Sequence, residues 1–115
     1  MEERERRLGL NEAMFREVNE RVEDLNRATS GSLTGTFEII CECGNTNCLE
    51  RITVPVSDYE RARSNPLHFL LHVGHEDPLV ERVIENRETF VIVEKEGVDV
   101  EQVAEATDPR RDEND

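Results

Sequence analysis

The chain has 115 residues and a formal net charge of −13, with 27 acidic residues against 14 lysines and arginines. A field of this sign repels phosphate backbones, so we expect no direct contact with nucleic acid and a better electrostatic match with a basic protein surface. Hydrophobic residues make up 36% of the chain, below the roughly 45–50% apolar content of an average globular domain. The sequence therefore predicts one small domain with a thin core, of the kind that a metal cross-link stabilises.

The apolar runs of the chain predict its compartment. None reaches the roughly 18 residues that span a membrane, and the N-terminus has no apolar stretch of signal-peptide length. We therefore expect a cytoplasmic protein with no membrane contact. Because thiols are kept reduced in the cytoplasm, the three cysteines are better explained as metal ligands than as a disulfide framework.

The first predicted element is an amphipathic helix over 8–28, after a charged N-terminus (1–7) that we expect to be disordered. Its apolar residues recur at spacings of three and four, so the helix should lie on its own domain, in a monomer. The same series fits a heptad, which keeps a helix-mediated dimer open. Residues 29–35 (TSGSLTG) predict a flexible linker. The apolar series is Leu8, Phe15, Val18, Val22 and Leu25, with Asn11 in the one polar gap, and Glu12–Arg16 and Glu17–Arg21 are expected as exposed i,i+4 ion pairs.

The predicted domain spans 8–107. After the linker, its sequence predicts strands and two short helices. Two β-rich segments flank the cysteine cluster and should form a hairpin with the metal loop at its tip. Ser57 and Glu60 have the spacing of a capping box, at the start of a helix that ends before Pro66. The fold class is therefore α+β, an N-terminal helix plus a small antiparallel sheet of about five strands, with a disordered tail over 108–115. The predicted strands cover 36–42, 50–56, 68–73, 81–85 and 89–94, and a last helix covers 98–106.

Cys41, Cys43 and Cys48 are the most concentrated chemical signal. A CxC pair followed closely by a third cysteine can wrap around a single ion, and Gly44 permits the tight turn that such a loop needs. Zinc prefers four soft or borderline ligands in a tetrahedron, so the pattern predicts one zinc ion per chain in a metal loop over 41–48. Ordinary buried cysteines rarely cluster in this way, and redox chemistry would favour CxxC spacing. An iron–sulfur cluster with three cysteines and a histidine is the remaining alternative, and geometry and ligand type favour zinc over it.

The fourth ligand has to be chosen among three histidines. On the predicted strand over 68–73, His68 and His72 share the more polar face. His75 follows Gly74 in a loop and is free to reach the metal loop. We favour His75 over His72, and a non-histidine ligand or an open fourth position is the third possibility.

A series of short motifs runs in order from Asn11 to Pro109. They are Asn11-Glu12-Ala13, Phe15-Arg16-Glu17-Val18-Asn19-Glu20, the CxCx4C cluster, Tyr59-Glu60, Pro66 ahead of Phe69-Leu70, Gly74-His75-Glu76 and Asp108-Pro109. This series resembles an uncharacterised family of short actinobacterial proteins, which has no known activity to carry over. The resemblance implies that the Gly-His-Glu element carries the fourth ligand, which supports His75. Similar members often have a proline before that glycine, whereas Val73 precedes it here.

Three classes of function fit these features. Glu76 or Asp77 beside His75 could serve as a general base of a zinc enzyme, but three thiolates are too electron-rich for most hydrolytic zinc sites. A redox- or metal-responsive sensor is disfavoured because Glu38, Glu42 and Glu50 add negative potential near the thiols, which raises thiol pKa values and slows oxidation. We therefore expect a structural zinc in a protein-interaction or regulatory module, with no catalytic residues and a protein as the partner.

Overall fold

The computed structural model describes residues 3–30, 35–45, 47–48 and 50–110, and within the first helix the side chains of residues 9–27. The fold is α+β, as the sequence predicts, with helices and two small antiparallel sheets. Among the described helices, none is long and apolar enough to cross a membrane. In chain order the elements are α1 (Glu3–Ser30), β1 (Thr36–Ile40), β2 (Arg51–Pro55), α2 (Val56–Arg63), β3 (His68–His72), β4 (Glu81–Asn86), β5 (Phe90–Lys95) and α3 (Val98–Ala106).

The strands form two sheets and not the single sheet that the sequence predicted. β1 and β2 form one hairpin, with Phe37 opposite Val54, and the other sheet has the order β3-β5-β4. Glu42 joins the two sheets, because its backbone N–H donates to the Leu70 carbonyl at 3.0 Å and its carboxylate accepts the Leu70 N–H at 3.0 Å. The β1 chain therefore stays bonded to β3 after it leaves its own hairpin, and this contact fixes the start of the metal loop.

The three-stranded sheet is buried on both faces. Side chains alternate along a strand, so Leu70 and Ile92 face the core formed with the β1–β2 hairpin and α2. Phe69 and Leu71 face a second core, which contains Cys41 and Ala104 of α3. Leu70 alternates with His68 and His72 on the face of β3 that the sequence indicated as the more polar one, but this residue is completely buried. Cys41 thus packs directly against the sheet that carries the histidines.

The buried face of α1 is polar, which the hydrophobic pattern did not predict. Glu12, Arg16, Asn19 and Glu23 recur at spacings of four, three and four, and each is buried. Arg16 donates to the backbone carbonyl of Ala104 at 2.8 Å and lies 4.4 Å above the centre of the Phe69 ring. The predicted exposed Glu12–Arg16 pair is therefore wrong, because both residues face the domain.

The apolar series of α1 lies to one side of this buried face. Phe15 and Val22 are half-buried, whereas Val18 and Leu25 are exposed. The side chain of Leu8 lies outside the described residues. The helix docks on its own domain, but turned so that part of its apolar surface faces solvent.

The boundaries of α1 and the start of α2 differ from those that the sequence predicted. α1 begins at Glu3, so residues 3–7, which we expected to be disordered, continue the helix. It also includes Thr29 and Ser30 of the predicted linker 29–35, of which residues 31–34 lie outside the described residues. α2 begins at Val56 with Pro55 at the N-cap and no side-chain cap, so the predicted Ser57 capping box is wrong.

The predicted disordered tail starts with residues that contact the domain. Asp108 is buried, and the guanidinium of Arg110 pairs with Glu20 at 2.5 Å, Glu23 at 3.1 Å and Glu60 at 2.5 Å. Arg110 therefore connects the end of the chain to α1 and α2. Residues 111–115 lie outside the part of the chain that the structure describes.

Candidate metal centre

Three cysteines and one histidine come together at the loop end of the β1–β2 hairpin. One ligand atom from each of Cys41, Cys43, Cys48 and His75 lies within 4.8 Å of the other three. Cys41 directly follows β1, Cys48 precedes β2, and His75 follows β3. These four residues could hold a metal ion.

Local backbone geometry brings each ligand into position. Gly44 and Gly74 have φ angles of 81° and 89°, a region that residues with a Cβ rarely adopt. In the metal loop the Cys48 N–H donates to the Asn45 carbonyl at 2.9 Å, which turns the chain back toward Cys41. In the second turn the His75 N–H donates to the His72 carbonyl at 3.1 Å, so the His75 ring points back at the metal loop.

The distances within the cluster match the spacing around one zinc ion. Nδ1 of His75 lies 3.5 Å from Sγ of Cys41 and 3.6 Å from Sγ of Cys48. In a tetrahedron with Zn–S near 2.3 Å and Zn–N near 2.0–2.1 Å, a sulfur and a nitrogen ligand are about 3.6 Å apart. The imidazole therefore offers Nδ1, and not Nε2, to the position that the three sulfurs surround.

Backbone N–H groups point at all three sulfurs. The N–H of His72 donates to Sγ of Cys41 at 3.2 Å, and the backbone groups of Asn45 and Glu50 donate to Cys43 and Cys48. Such bonds stabilise the thiolate over the thiol and leave a metal-bound sulfur less basic. This arrangement suits a thiolate-rich site that stays intact.

The three thiols change one another's pKa values. The pKa of Cys43 is lowered to about 4, chiefly because the Cys41 thiol donates a hydrogen bond to its sulfur. The pKa of Cys41 is raised because its proton is held in that bond and because the residue is buried, and burial also raises the pKa of Cys48. One negative charge is thus readily held by the cluster, whereas the second and third thiolates need a cation to neutralise them.

The other two histidines lie outside the cluster. The ring of His72 is 5.0 Å from that of His75 between centroids, and its Nδ1 bonds to the Val73 carbonyl at 2.9 Å. His68 lies at the far end of β3, where Nε2 is 3.2 Å from a carboxylate oxygen of Glu94. The preference for His75 over His72 as the fourth ligand stays a prediction. The ligand distances name its donor atom, Nδ1 of His75.

The carboxylates near the site have structural contacts. Glu76 accepts the N–H of Gly74 at 3.1 Å, and Asp77 accepts the N–H of Leu79 at 3.0 Å, so both hold the turn around His75. Glu42 does not add free negative charge beside the thiols, as we had expected, because it is completely buried and pairs with Arg63 at 2.8 Å. Glu42 is therefore not one of the glutamates that would slow oxidation of the thiols.

Asn19 and Arg63 both hold Glu42 of the metal loop, and neither was predicted from the sequence to support this loop. Asn19 donates to the Ile40 carbonyl at 2.8 Å and accepts the Ile40 N–H at 2.9 Å, just before Cys41. Its Nδ2 also donates to Glu42 at 2.7 Å, and Arg63 holds the same carboxylate. The helical spacing of Asn19 from Glu12 and Arg16 was visible, but it identifies a buried face only once the partners on β1 are known.

A second group of carboxylates, Glu20, Glu23 and Asp24, also has oxygen atoms within 4.8 Å of one another. Arg110 pairs with Glu20 and Glu23, so this group is explained by an ion-pair network.

No model of a known protein family matches the chain, and no curated protein and no solved structure matches it significantly. The resemblance to the actinobacterial family therefore stays a prediction.

Proposed function

We propose that Cys41, Cys43, Cys48 and His75 bind one zinc ion, that this ion is structural, and that the zinc-bound domain acts by binding another protein. The observation that carries the metal assignment is the mutual distance of the four ligand atoms, all within 4.8 Å. Three thiolates with an imidazole are the ligand set of many structural zinc sites. A sulfide-bridged iron cluster needs its ligands spread around a larger unit than a single ion, so zinc fits this compact set better.

The donor count supports a structural role for the ion. Four protein ligands fill a tetrahedron, whereas catalytic zinc keeps one position for water or substrate. The ion would connect the β1–β2 hairpin to the turn after β3, two segments that are distant in sequence. Such a link stabilises a domain whose hydrophobic content is only 36%.

The exposed part of α1 supports the interaction role. Leu10, Met14 and Val18 are all exposed, and contiguous apolar surface of this kind is typical of sites that bind another molecule.

Elemental analysis of protein purified without added metal tests the first part of this proposal. We expect one zinc per chain. Iron with visible absorbance, or protein with no bound metal, would contradict the proposal.

Cobalt substitution tests the ligand set. Loss of a ligand alters the d–d absorption of tetrahedral cobalt, so we expect His75→Ala to change the spectrum and to weaken zinc binding by more than about tenfold. His72→Ala is the matched control, because it removes a neighbouring imidazole but keeps the backbone N–H that donates to Cys41. A wild-type spectrum in His75→Ala would exclude His75 as a ligand.

A further inference from the structure

The solvent-facing side of α1 carries three large apolar side chains in a row. Leu10, Met14 and Val18 are 48%, 52% and 41% exposed, and their spacing of four residues places them above one another along the helix. We refer to these three residues as the α1 stripe. Single exposed hydrophobic residues are common, but a contiguous row on one helix is typical of a surface that another molecule covers.

A cavity of 330 Å³ has part of its wall on α1, at Phe15. Val18 is three residues from Phe15, which lines the cavity, so the stripe and the cavity mouth are neighbours on the helix surface. The volume is at the lower end of the roughly 300–1,000 Å³ typical of ligand pockets, which suits a large apolar side chain. The cavity is lined by Phe15, Ile40, Cys41, Cys48, Glu50 and Arg51.

Charge indicates the kind of partner. Arg51 lines the cavity, and Arg21 follows Val18 by three residues on α1. Each pairs with an exposed carboxylate, Arg21 with Glu17 at 3.8 Å and Arg51 with Glu38 at 3.3 Å. Glu50 adds a further carboxylate at the cavity. A zinc site with three thiolates adds negative charge behind the cavity wall, since three thiolates outweigh a dication. Together with the net charge of −13, this favours a basic partner over a second copy of the chain.

We propose that the α1 stripe and the cavity bind a basic amphipathic helix of another protein. Apolar residues of that helix cover the stripe, one of its large side chains enters the cavity, and its lysines or arginines face the surrounding carboxylates. This inference rests on the proposed function, because the metal loop forms one wall of the cavity.

A designed peptide tests the chemistry of this surface. The probe is an 18-residue peptide with leucine at positions i, i+3, i+4 and i+7 of each repeat and lysine at most other positions. Two comparison peptides have the same leucine positions with glutamate in place of lysine, or the same composition as the probe in a scrambled order. We expect zinc-loaded protein to bind the probe at least about tenfold more tightly than either comparison peptide, measured by fluorescence anisotropy.

Paired variants locate the site. Met14→Lys/Val18→Lys places two cations on the stripe and should weaken probe binding by more than about tenfold. The control Leu79→Lys/Val83→Lys adds the same charge at two exposed apolar residues, one just before β4 and one within it. It should change probe binding by less than about twofold.

The outcomes separate this inference from the proposed function. If both double variants weaken binding equally, or if the scrambled peptide binds as well as the probe, the attraction is only electrostatic and the inference fails. A dimer in light scattering that Met14→Lys/Val18→Lys dissociates would assign the stripe to a second copy and also overturn it. Zinc content and far-UV circular dichroism are measured for each variant, because zinc-loaded, folded protein that ignores the probe contradicts this inference alone. Protein without zinc contradicts the proposed function.

Discussion

The Glu12 carboxyl lies in a buried cluster of three ionisable side chains with a single cation. Nζ of Lys95 is 2.5 Å from Glu12 and also contacts Glu81, and all three residues are buried. Burial is the largest influence on Glu12, with Lys95 opposing it and Glu81 adding repulsion, and the pKa of Glu12 is raised to about 8. At neutral pH the Glu12 carboxyl therefore keeps its proton and adds no negative charge to the core.

This raised pKa predicts that stability falls as pH rises. In the unfolded chain Glu12 has a pKa near 4.3, so between about pH 4.5 and 8 the folded state binds a proton that the unfolded state lacks. The free energy of unfolding then decreases with pH across that window. Glutamine resembles the protonated carboxyl, so Glu12→Gln should match wild type within about 1 kcal/mol at pH 5 and become increasingly more stable than wild type up to pH 9. Urea denaturation at each pH measures this.

The matched control is Glu17→Gln, which makes the same change on the exposed side of α1. It should follow the wild-type pH dependence. Parallel curves for Glu12→Gln and wild type would mean that Glu12 is ionised in the folded protein at neutral pH.

At the scale of elements, α1 docks on the domain more through the hydrogen bonds and ion pairs of its buried polar face than through contacts of its apolar series. Asn19 bonds to both backbone groups of Ile40, and so acts as a strand partner at the end of β1. Its amide also bonds to Glu42, which Arg63 holds from α2. Helix, hairpin and metal loop therefore share one buried polar network, in which each charged group depends on the others.

Removing Arg63 should be costly because it leaves Glu42 buried without its cation. Arg63 is 1% exposed and also lies 4.9 Å above the Tyr59 ring. We expect Arg63→Met to lower the free energy of unfolding by about 3–5 kcal/mol, measured by urea denaturation at saturating zinc. Arg82→Met is the control, because Arg82 is exposed and its carboxylate partners are 3.6 and 3.7 Å away, so its loss should cost less than about 1 kcal/mol. If the two substitutions lower the free energy of unfolding equally, the buried Arg63–Glu42 pair contributes no more to stability than the exposed pairs of Arg82.

The elements that could be predicted from the sequence are those whose signals are local. The helix over 98–106 and the paired strands predicted over 81–85 and 89–94 have local signals in apolar period and turn residues, and both are present. The cysteine spacing predicted a ligand cluster, and Cys41, Cys43 and Cys48 lie close enough together to hold a metal ion with His75. The orientation of α1 has no such signal, because its buried face is polar. What buries Arg16 is the Ala104 carbonyl and the Phe69 ring, and neither contact can be inferred from residues near Arg16 in the sequence.

At the scale of the whole molecule, the candidate metal centre lies where the β1–β2 hairpin meets the end of β3. Cys41 belongs to the core formed with Phe69, Leu71 and α3, while β1 and β2 on either side of the metal loop belong to the other core. His75 comes from the turn after β3. A metal held by these residues would fix the β1–β2 hairpin to the turn after β3, close to the bond that the Glu42 N–H donates to the Leu70 carbonyl.

Removal of zinc should therefore destabilise the whole domain. Structural zinc contributes about 10–16 kcal/mol of apparent binding energy in zinc-finger peptides at pH 7, and each kcal/mol shifts Tm by about 4–8 °C in a domain of 60–100 residues. We expect chelation to lower Tm by more than about 10 °C in a thermal scan, and restored zinc to recover it. Cys43→Ser is the control, because a protein that lacks one thiolate should already have the lower Tm and respond little to the chelator. If the Tm of wild type is unchanged after elemental analysis shows that zinc is gone, the buried network around Glu42 is sufficient to hold the β1–β2 hairpin on the three-stranded sheet. The ion would then have to serve a purpose other than stability.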